Sequence, residues 1–272
     1  MEATGRGEDP QEGVTVERDE YIEAIRREAG MMAASAEDGL EADVPSCPGW
    51  TVGKLIQHTG QTYEFVTDIV ATGARDEEQD VDPLHERHLE MRKQRGADFA
   101  QSSELIPWFR DRAARLVEVL DAADPTEPVW TWWTPEQQTS FWQRRMAHET
   151  AVHRWDTQSA HGDTQPIENR LAVDGVDEAL TVHAPERLSE PGGKGKGETF
   201  HFHCTDGDGE WLVRINADGP DVRREHAKGD VAIRGTASDL VLFLWQRLPA
   251  SAIETRGDAI LLDRWFELIP PE

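Results

Sequence analysis

The chain has 272 residues, which is enough for one large domain or two of ordinary size. Hydrophobic residues make up 38% of it, and ten Trp and eight Phe add core volume. The formal net charge of −25 would repel phosphate, so we expect no nucleic-acid partner and no binding to an anionic membrane.

The acidic residues number 53 and the basic residues 28, of which only five are Lys. Two explanations fit this balance. The surface is adapted to strong salt, or a GC-rich genome encodes Arg in place of Lys on an ordinary acidic surface. A melting temperature that falls at low salt would identify the first.

The N-terminal segment, residues 1–15, is rich in Gly, Glu and Asp and is predicted to be a disordered acidic tail. It lacks the apolar core of a signal peptide, and no apolar run in the chain approaches the roughly 18 residues of a membrane span. The only two cysteines, Cys47 and Cys204, are too few for a disulfide framework. The sequence therefore predicts a cytoplasmic protein.

Apolar residues at helical spacing predict two helices near the N-terminus, Thr15–Ser35 and Val52–Thr72. The segment between them, Val44–Thr51, holds two prolines and a glycine that forbid a helix, and its last residue, Thr51, is a candidate N-cap. His58 leans toward the inner side of the second helix. A lone inward histidine is either a satisfied core residue or a metal ligand, and the helix alone does not decide between them.

Residues 73–100 are strongly charged and predict a loop followed by a ragged helix around His85–Gln94, whose two histidines lie on a solvated face. Ser103–Ala123 is the next predicted helix, with Pro107 in its first turn, where proline is tolerated. The loop Pro125–Pro135 carries three tryptophans, which either wall a pocket or pack into the core.

The fourth long helix, Thr139–Ala160, is apolar on several sides and should be buried. Glu149 and His153 are four residues apart, so they share one helix face, with Cβ atoms about 5–6 Å apart, and can bind one divalent metal. His148 points about 100° away around the helix. Asp156 follows on nearly the same face as His153 and can orient that imidazole.

Two ligands are too few for a tight metal site, so a third must come from another part of the chain. A buried Glu149 also needs a positive partner, because an unpaired buried carboxylate is costly. A metal meets that need, and so would an Arg.

A fifth helix, residues 169–183, should end before Pro185. The following glycine-rich segment, Glu190–Gly197, is predicted to be a flexible hinge. It lacks the Gly-Lys-Ser/Thr ending of a phosphate loop and does not follow a strand, so nucleotide binding is not expected.

Beyond the hinge the pattern changes to strands and short helices. The predicted elements are two hairpin strands at Thr199–Cys204 and Glu210–Ile215, a strand at Asp230–Arg234, a helix at Leu240–Arg247, a short segment at Ile253–Thr255 and a final helix at Ala259–Leu268. Asp206, Asp208 and Glu210 alternate as in a calcium loop, but the remaining ligands of such a loop are missing, so a tight turn is the better interpretation.

Two stretches together resemble the mycothiol-dependent maleylpyruvate isomerase family. One is Val44–Val52 followed by His58, and the other is Arg145–Asp156. The C-terminal stretch resembles the family's C-terminal domain in three places: Asp206–Val213, Asp230–Gly235 and Ser238–Leu240. The resemblance covers nearly the whole chain beyond the acidic tail. Its motifs are specific as a set, although each alone is weak.

The resemblance implies an α+β protein: a DinB-like four-helix bundle in residues 16–188, the hinge 189–197, and a small α+β domain in residues 198–272. It also implies a metal, usually zinc, held by His58, Glu149 and His153. Three protein ligands leave one coordination position for a water or a thiolate, as in catalytic rather than structural zinc sites.

The activity implied is that of a thiol-dependent isomerase or S-transferase that uses mycothiol or another low-molecular-weight thiol and a small electrophilic substrate. Arg234 is the candidate for holding a carboxylate of substrate or cofactor, since Arg binds carboxylates through two parallel hydrogen bonds. An Arg paired with a surface acid explains the same residue equally well. The alternative function is a non-catalytic or regulatory metal-binding module of the same fold. A metal-dependent hydrolase ranks last, because no separate general base is placed for it.

Overall fold

The structure is a computed structural model that describes residues 16–188, 195–258 and 260–269. The predicted tail, 1–15, and most of the predicted hinge, 189–197, lie outside the described residues. Contacts between Cα atoms divide the chain into two compact units, one formed by Val16–Ile167 and the other containing the described residues from Glu168 onward.

The first unit is helical. Its helices are α1 (Arg18–Ala36), α2 (Val52–Thr72), α3 (Asp82–Arg95), α4 (Leu105–Ala122) and α5 (Thr139–Ser159), with a π-helical turn at Glu77–Val81 and a 3₁₀ turn at Ala97–Gln101. The four long helices α1, α2, α4 and α5 pack on one another, and α3 lies against α2. This is the four-helix arrangement that the family resemblance implies.

The start and end of α2 follow from local chemistry. The Thr51 hydroxyl accepts a hydrogen bond from the Lys54 N–H at 3.4 Å, as an N-cap does. Gly73 ends the helix in the left-handed conformation, with φ of 64°, which costs glycine little. In α4, Glu104 occupies the N-cap position, and the Ser102 hydroxyl accepts from the Glu104 N–H at 3.1 Å.

A buried ion pair joins α1 to α5. Arg154 and Glu28 are 1% and 2% exposed at their side chains, and Arg154 Nε lies 2.6 Å from Glu28 Oε2. Arg154 also donates to the Gln158 side chain and to the carbonyls of Gln165 and Pro166, so its guanidinium ties the end of α5 to the segment that follows it.

The tryptophan loop packs against the start of α5. Trp142 Nε1 donates to the Trp130 carbonyl at 2.8 Å, and the Trp132 ring meets the Phe141 ring edge-on at 5.1 Å. Of the two explanations offered for this loop, these contacts favour packing.

The second unit contains helices and a five-stranded sheet. Its elements are α6 (Asn169–Glu178), a π-helical turn (Ala179–His183), α7 (Ala184–Leu188), β1 (Glu198–Cys204), β2 (Glu210–Asn216), β3 (Gly219–Arg223), β4 (Val231–Gly235), α8 (Ala237–Leu244), a 3₁₀ turn (Ala250–Ala252), β5 (Glu254–Gly257) and α9 (Ile260–Leu268). The strand order is β3-β2-β1-β4-β5, with β1 and β4 parallel and the other pairs antiparallel. The α+β class is therefore confirmed.

One face of the sheet carries the core of this unit. The alternation of β1 turns Phe200 and Phe202 toward α9, where both rings contact Trp265 with centroids 5.0 Å apart. Trp211 of β2 pairs with Phe202 and donates to Asp177 of α6 at 3.0 Å. These contacts place α6 in the second unit, so the compact units divide before α6 and not at the predicted hinge.

Three details of the second unit differ from the sequence prediction. Strand β3 was not predicted, because Gly219-Pro220-Asp221 has no apolar alternation; as an edge strand it can accommodate a proline. Helix α8 begins three residues early, since the Thr236 hydroxyl caps it by accepting from the Asp239 N–H at 3.1 Å. The helical stretch after α6 continues past Pro185, through the π-helical turn and into α7, instead of ending before it.

No helix among the described residues is long and apolar enough to cross a bilayer.

Candidate metal site in the helical unit

The cluster of candidate ligands is built on α5. This helix is buried on most sides, as its apolar residues predicted. Glu149 and His153 lie one turn apart on it, and their side chains meet, with Glu149 Oε1 3.1 Å from His153 Nε2. The i, i+4 spacing thus produces the contact expected from helix geometry.

The third residue comes from α2. His58 Nε2 lies 3.8 Å from the same Glu149 oxygen, and the rings of His58 and His153 stand edge to face with centroids 5.6 Å apart. One ligand atom from each of His58, Glu149 and His153 lies within 4.8 Å of the other two. The structure therefore brings together the three residues that the family resemblance implies as ligands, from parts of the chain about ninety residues apart.

The two oxygens of Glu149 have different partners. Oε1 faces the two imidazoles, and Oε2 accepts a hydrogen bond from Arg145 Nη2 at 3.1 Å. Arg145 is 5% exposed at its side chain and Glu149 is 20% exposed. The sequence left a metal and an Arg as alternative partners for this carboxylate. The structure shows the Arg on one oxygen and leaves the other directed at the histidines.

The charges of the three groups depend on one another. Burial disfavours the imidazolium of His153, but the Glu149 and Asp156 carboxylates outweigh it and raise the pKa of His153 to about 9. Burial likewise opposes ionisation of Glu149, yet His153 and Arg145 hold its pKa well below the usual range. Burial and the neighbouring His153 lower the pKa of His58. The carboxylate is thus ionised and requires positive charge beside it, which a proton on His153 or a divalent cation can supply.

Asp156 fixes the orientation of His153. The side chain of Asp156 is fully buried, and its Oδ2 lies 2.9 Å from His153 Nδ1. A proton on Nδ1 shared with Asp156 leaves Nε2 directed at the cluster, which is the arrangement in which a carboxylate orients a metal-ligating histidine. The sequence predicted this role for Asp156.

Sequence reasoning missed the residues that hold Asp156. The Ser46 hydroxyl donates to Asp156 Oδ1 at 2.6 Å, and the Cys47 thiol lies 3.8 Å from Oδ2. Both belong to the proline-containing connector before α2, whose Trp50 ring stands edge-on to His58 with centroids 5.2 Å apart. The sequence predicted no contact between the connector and the cluster, although the connector's position directly before the helix of His58 is a signal that could have suggested one.

The other histidines of the helical unit lie elsewhere. His148 is buried and its ring meets Tyr21 of α1 edge-on, so it faces away from the cluster as predicted. His88 lies 2.8 Å from Asp68, and its side chain is only 13% exposed, so its predicted solvated position is wrong. Packing of α3 on α2 buries that ring.

Arg234 lies on β4 of the second unit, just before α8. Its guanidinium donates to Glu254 of β5 at 2.9 Å, and its side chain is 27% exposed. An ion pair with a surface acid was one of the two explanations given for this residue. Its role toward a substrate stays a prediction.

The donor set fits a divalent metal of the zinc type. Two imidazole nitrogens and one carboxylate oxygen are ligands that zinc accepts, and three protein ligands are the number found in catalytic zinc sites. The supports of these ligands, Asp156 on His153 and Arg145 on Glu149, are also in place.

Both units match family models. Residues 22–158 match the model described as the mycothiol maleylpyruvate isomerase N-terminal domain, and residues 170–264 match the MDMPI C-terminal domain. These matches confirm the resemblance stated from the sequence. The gap between the two matched ranges, from residue 158 to residue 170, contains the boundary between the two compact units.

Two solved structures share the fold. A histidine-to-alanine mutant of a mycothiol-dependent maleylpyruvate isomerase is 13% identical, with a TM-score of 0.63; the match covers 88% of this chain and 93% of that one. The mycothiol-dependent maleylpyruvate isomerase itself is 11% identical, with a TM-score of 0.60 and the same coverage. A sequence comparison with curated proteins finds no match.

Proposed function

Because this chain belongs to the mycothiol-dependent maleylpyruvate isomerase family, we propose that it is an isomerase or S-transferase that uses mycothiol or a related low-molecular-weight thiol. The single observation that carries the proposal is the convergence of His58, Glu149 and His153 within 4.8 Å. We propose these three as the ligands of a divalent metal, with zinc as the first candidate.

The metal would lower the pKa of a thiol bound to it and so supply a thiolate at neutral pH. The remaining contribution comes from the side chains. Asp156 holds a proton at Nδ1 of His153 and keeps Nε2 available. Arg145 holds Oε2 of Glu149, so that Oε1 stays directed at the cluster. The Trp50 ring packs edge-on against the His58 ring and restricts its movement.

The reaction implied by the family is a cis–trans isomerisation of maleylpyruvate. When bound, the thiol would supply a thiolate that adds to the double bond, lets it rotate as a single bond and is then eliminated with the electrons of the C–S bond. The product would be the trans isomer, fumarylpyruvate, and the thiol would be regenerated, so no oxidant or reductant would be consumed.

We propose Arg234 as the residue that holds a carboxylate of substrate or cofactor. A guanidinium is suited to this role, since it can bind a carboxylate through two parallel bonds. Glu254, which now accepts from Arg234, is 48% exposed and would be replaced as its partner. Arg234→Lys should then raise KM more than it lowers kcat, because lysine keeps the charge but loses the two-point contact.

The test of the proposed function is turnover by the zinc-loaded full chain. With mycothiol and maleylpyruvate we expect formation of fumarylpyruvate, which should stop when either the thiol or the zinc is omitted. Zinc that binds at His58, Glu149 and His153 without any turnover of thiol and electrophile would favour the alternative, a non-catalytic metal-binding module.

A further inference from the structure

The face of the sheet opposite α9 carries a second group of histidines. In β1 the residues alternate, so that Phe200 and Phe202 face α9 while His201 and His203 face the opposite side. His201 is nonetheless 8% exposed at its side chain and His203 is 24% exposed. Two imidazoles two residues apart on one strand face thus lie side by side and are sheltered from solvent.

Glu210 of β2 meets both histidines. It is paired directly with His203 in the antiparallel register and lies diagonally opposite His201. Its Oε2 is 2.5 Å from His201 Nε2, and its Oε1 is 2.5 Å from His203 Nδ1. The backbone ladder between β1 and β2 therefore fixes the positions of these three side chains.

A third histidine arrives from the loop after β3. His226 Nδ1 lies 3.0 Å from Glu210 Oε1, and its ring centroid is 5.1 Å from that of His201. Two residues earlier, the Arg224 guanidinium makes two bonds to Asp177 of α6, at 2.8 and 2.6 Å, and so anchors the loop. The His226 side chain itself is 76% exposed, so an ion can reach the cluster from solvent.

We infer that His201, Glu210 and His226 form a second site for a divalent transition metal of the zinc type, independent of the helical cluster. One ligand atom of each lies within 4.8 Å of the other two. Imidazole is the ligand that zinc, copper and nickel share, and a single carboxylate with two imidazoles is a recognised zinc donor set. His203 contacts the same carboxylate and serves to orient it.

The turn of the hairpin does not account for this cluster. Asp206 Oδ1 accepts from the Ala237 N–H at the start of α8, at 2.9 Å, whereas the imidazoles gather around Glu210 at the start of β2. A calcium site is a poor match, because calcium prefers oxygen ligands and most of the donors here are nitrogens. A metal would join β1, β2 and the loop after β3, so its role in the sheet would be to fix that loop.

The test is the zinc stoichiometry of the full chain. After treatment with a chelator and equilibrium dialysis against Zn²⁺, we expect two zinc ions per wild-type chain and one per chain in Glu210→Gln. His153→Ala should also bind one, and the combination of His153→Ala with Glu210→Gln should bind none. This design separates the two sites, so that each can fail without the other.

A second variant keeps the test valid if a buried substitution disturbs folding. His226→Ala changes an exposed side chain, and its zinc affinity at this site should fall by at least the roughly 10- to 100-fold that follows loss of an outer partner of a ligand. Asp208→Asn, in the same hairpin, is the matched control and should retain both ions.

The second site would be overturned if the Glu210→Gln chain bound two zinc ions. It would also be overturned if the wild-type chain bound one zinc ion and the His153→Ala chain bound none. One ion that disappears in Glu210→Gln but survives in His153→Ala would support the second site and contradict the helical one. No zinc in the wild type would overturn both.

Discussion

The helical unit and the sheet unit each contain histidines gathered around one glutamate, but they hold them by different means. In the helical unit Glu149 and His153 share one helix, and His58 reaches them only because α2 packs beside α5. In the sheet unit the backbone ladder of β1 and β2 sets His201 and His203 against Glu210. The helical cluster therefore depends on side-chain packing between helices, whereas the strand cluster depends on main-chain register. The expected effects of mutation differ accordingly.

The largest effect should follow removal of a ligand from the helical cluster. A metal ion contributes several kcal/mol to such reactions, so His153→Ala should lower turnover by roughly a thousandfold or more. His58→Ala should do the same. His148→Ala is the control on α5, the helix of His153. Because the His148 ring faces Tyr21 and not the cluster, this variant should retain metal and activity. Equal metal loss in all three variants would show that the assignment of helix faces is wrong.

The next effect concerns the buried pair that holds α5 to α1. Arg154→Met removes the buried partner of Glu28 and leaves its pair with Arg27, and breaking such a buried pair typically costs about 3–5 kcal/mol of unfolding free energy. Urea denaturation measures this loss. Arg27→Met, which removes the half-exposed partner of Glu28, should cost under about 1 kcal/mol. If the two variants were equally stable, the helical unit would not rely on this side-chain contact.

A smaller effect is expected from Asp156→Asn, which preserves shape but removes the charge beside His153. Loss of an outer partner of a ligand typically weakens metal affinity about 10- to 100-fold, and a zinc titration of the full chain would detect it. Ser46→Ala removes only one hydrogen bond to Asp156 and should weaken affinity less. Unchanged zinc affinity in Asp156→Asn would show that Asp156 does not support the metal site.

The smallest effect tests the loop of the strand cluster. Arg224→Gln removes the pair with Asp177, and because Arg224 is 51% exposed the loss should be under about 1 kcal/mol, or less than about fivefold in zinc affinity. Arg223→Gln is the control, since Arg223 pairs with Asp221 of its own strand and not with α6. A large loss in Arg224→Gln would mean that the loop, and not the strand register, positions the cluster.

The difference between helix spacing and strand register also explains how much of each cluster could be predicted from the sequence. The helical pair is visible in the sequence because the spacing of Glu149 and His153 translates directly into a shared face, and α2 and α5 were predicted within a residue of their observed ends. The assignment of His58 as the third proposed ligand did not follow from its own helix, where a core histidine was the more frequent explanation. The family resemblance supplied it.

The strand cluster could not be predicted in the same way. Glu210 was interpreted as part of a turn, and its meeting with His201 depends on a register that only the paired strands define. His226 follows β3. This edge strand could not be recognised in the sequence, because its glycine and proline break the alternation of apolar and polar residues that marks a strand. The missed contacts of Ser46 and Cys47 with Asp156 have a similar origin, because they join residues about 110 positions apart.

We propose that three side chains from two helices hold one metal that activates a thiol. X-ray absorption at the zinc edge tests this most directly, measured on the full-length Glu210→Gln variant so that only the helical site is loaded. We predict nitrogen and oxygen ligands at about 2.0–2.2 Å, and a sulfur at about 2.3 Å once mycothiol is added. A zinc environment that gains no sulfur with the thiol, or that is unchanged by His58→Ala, would contradict the account.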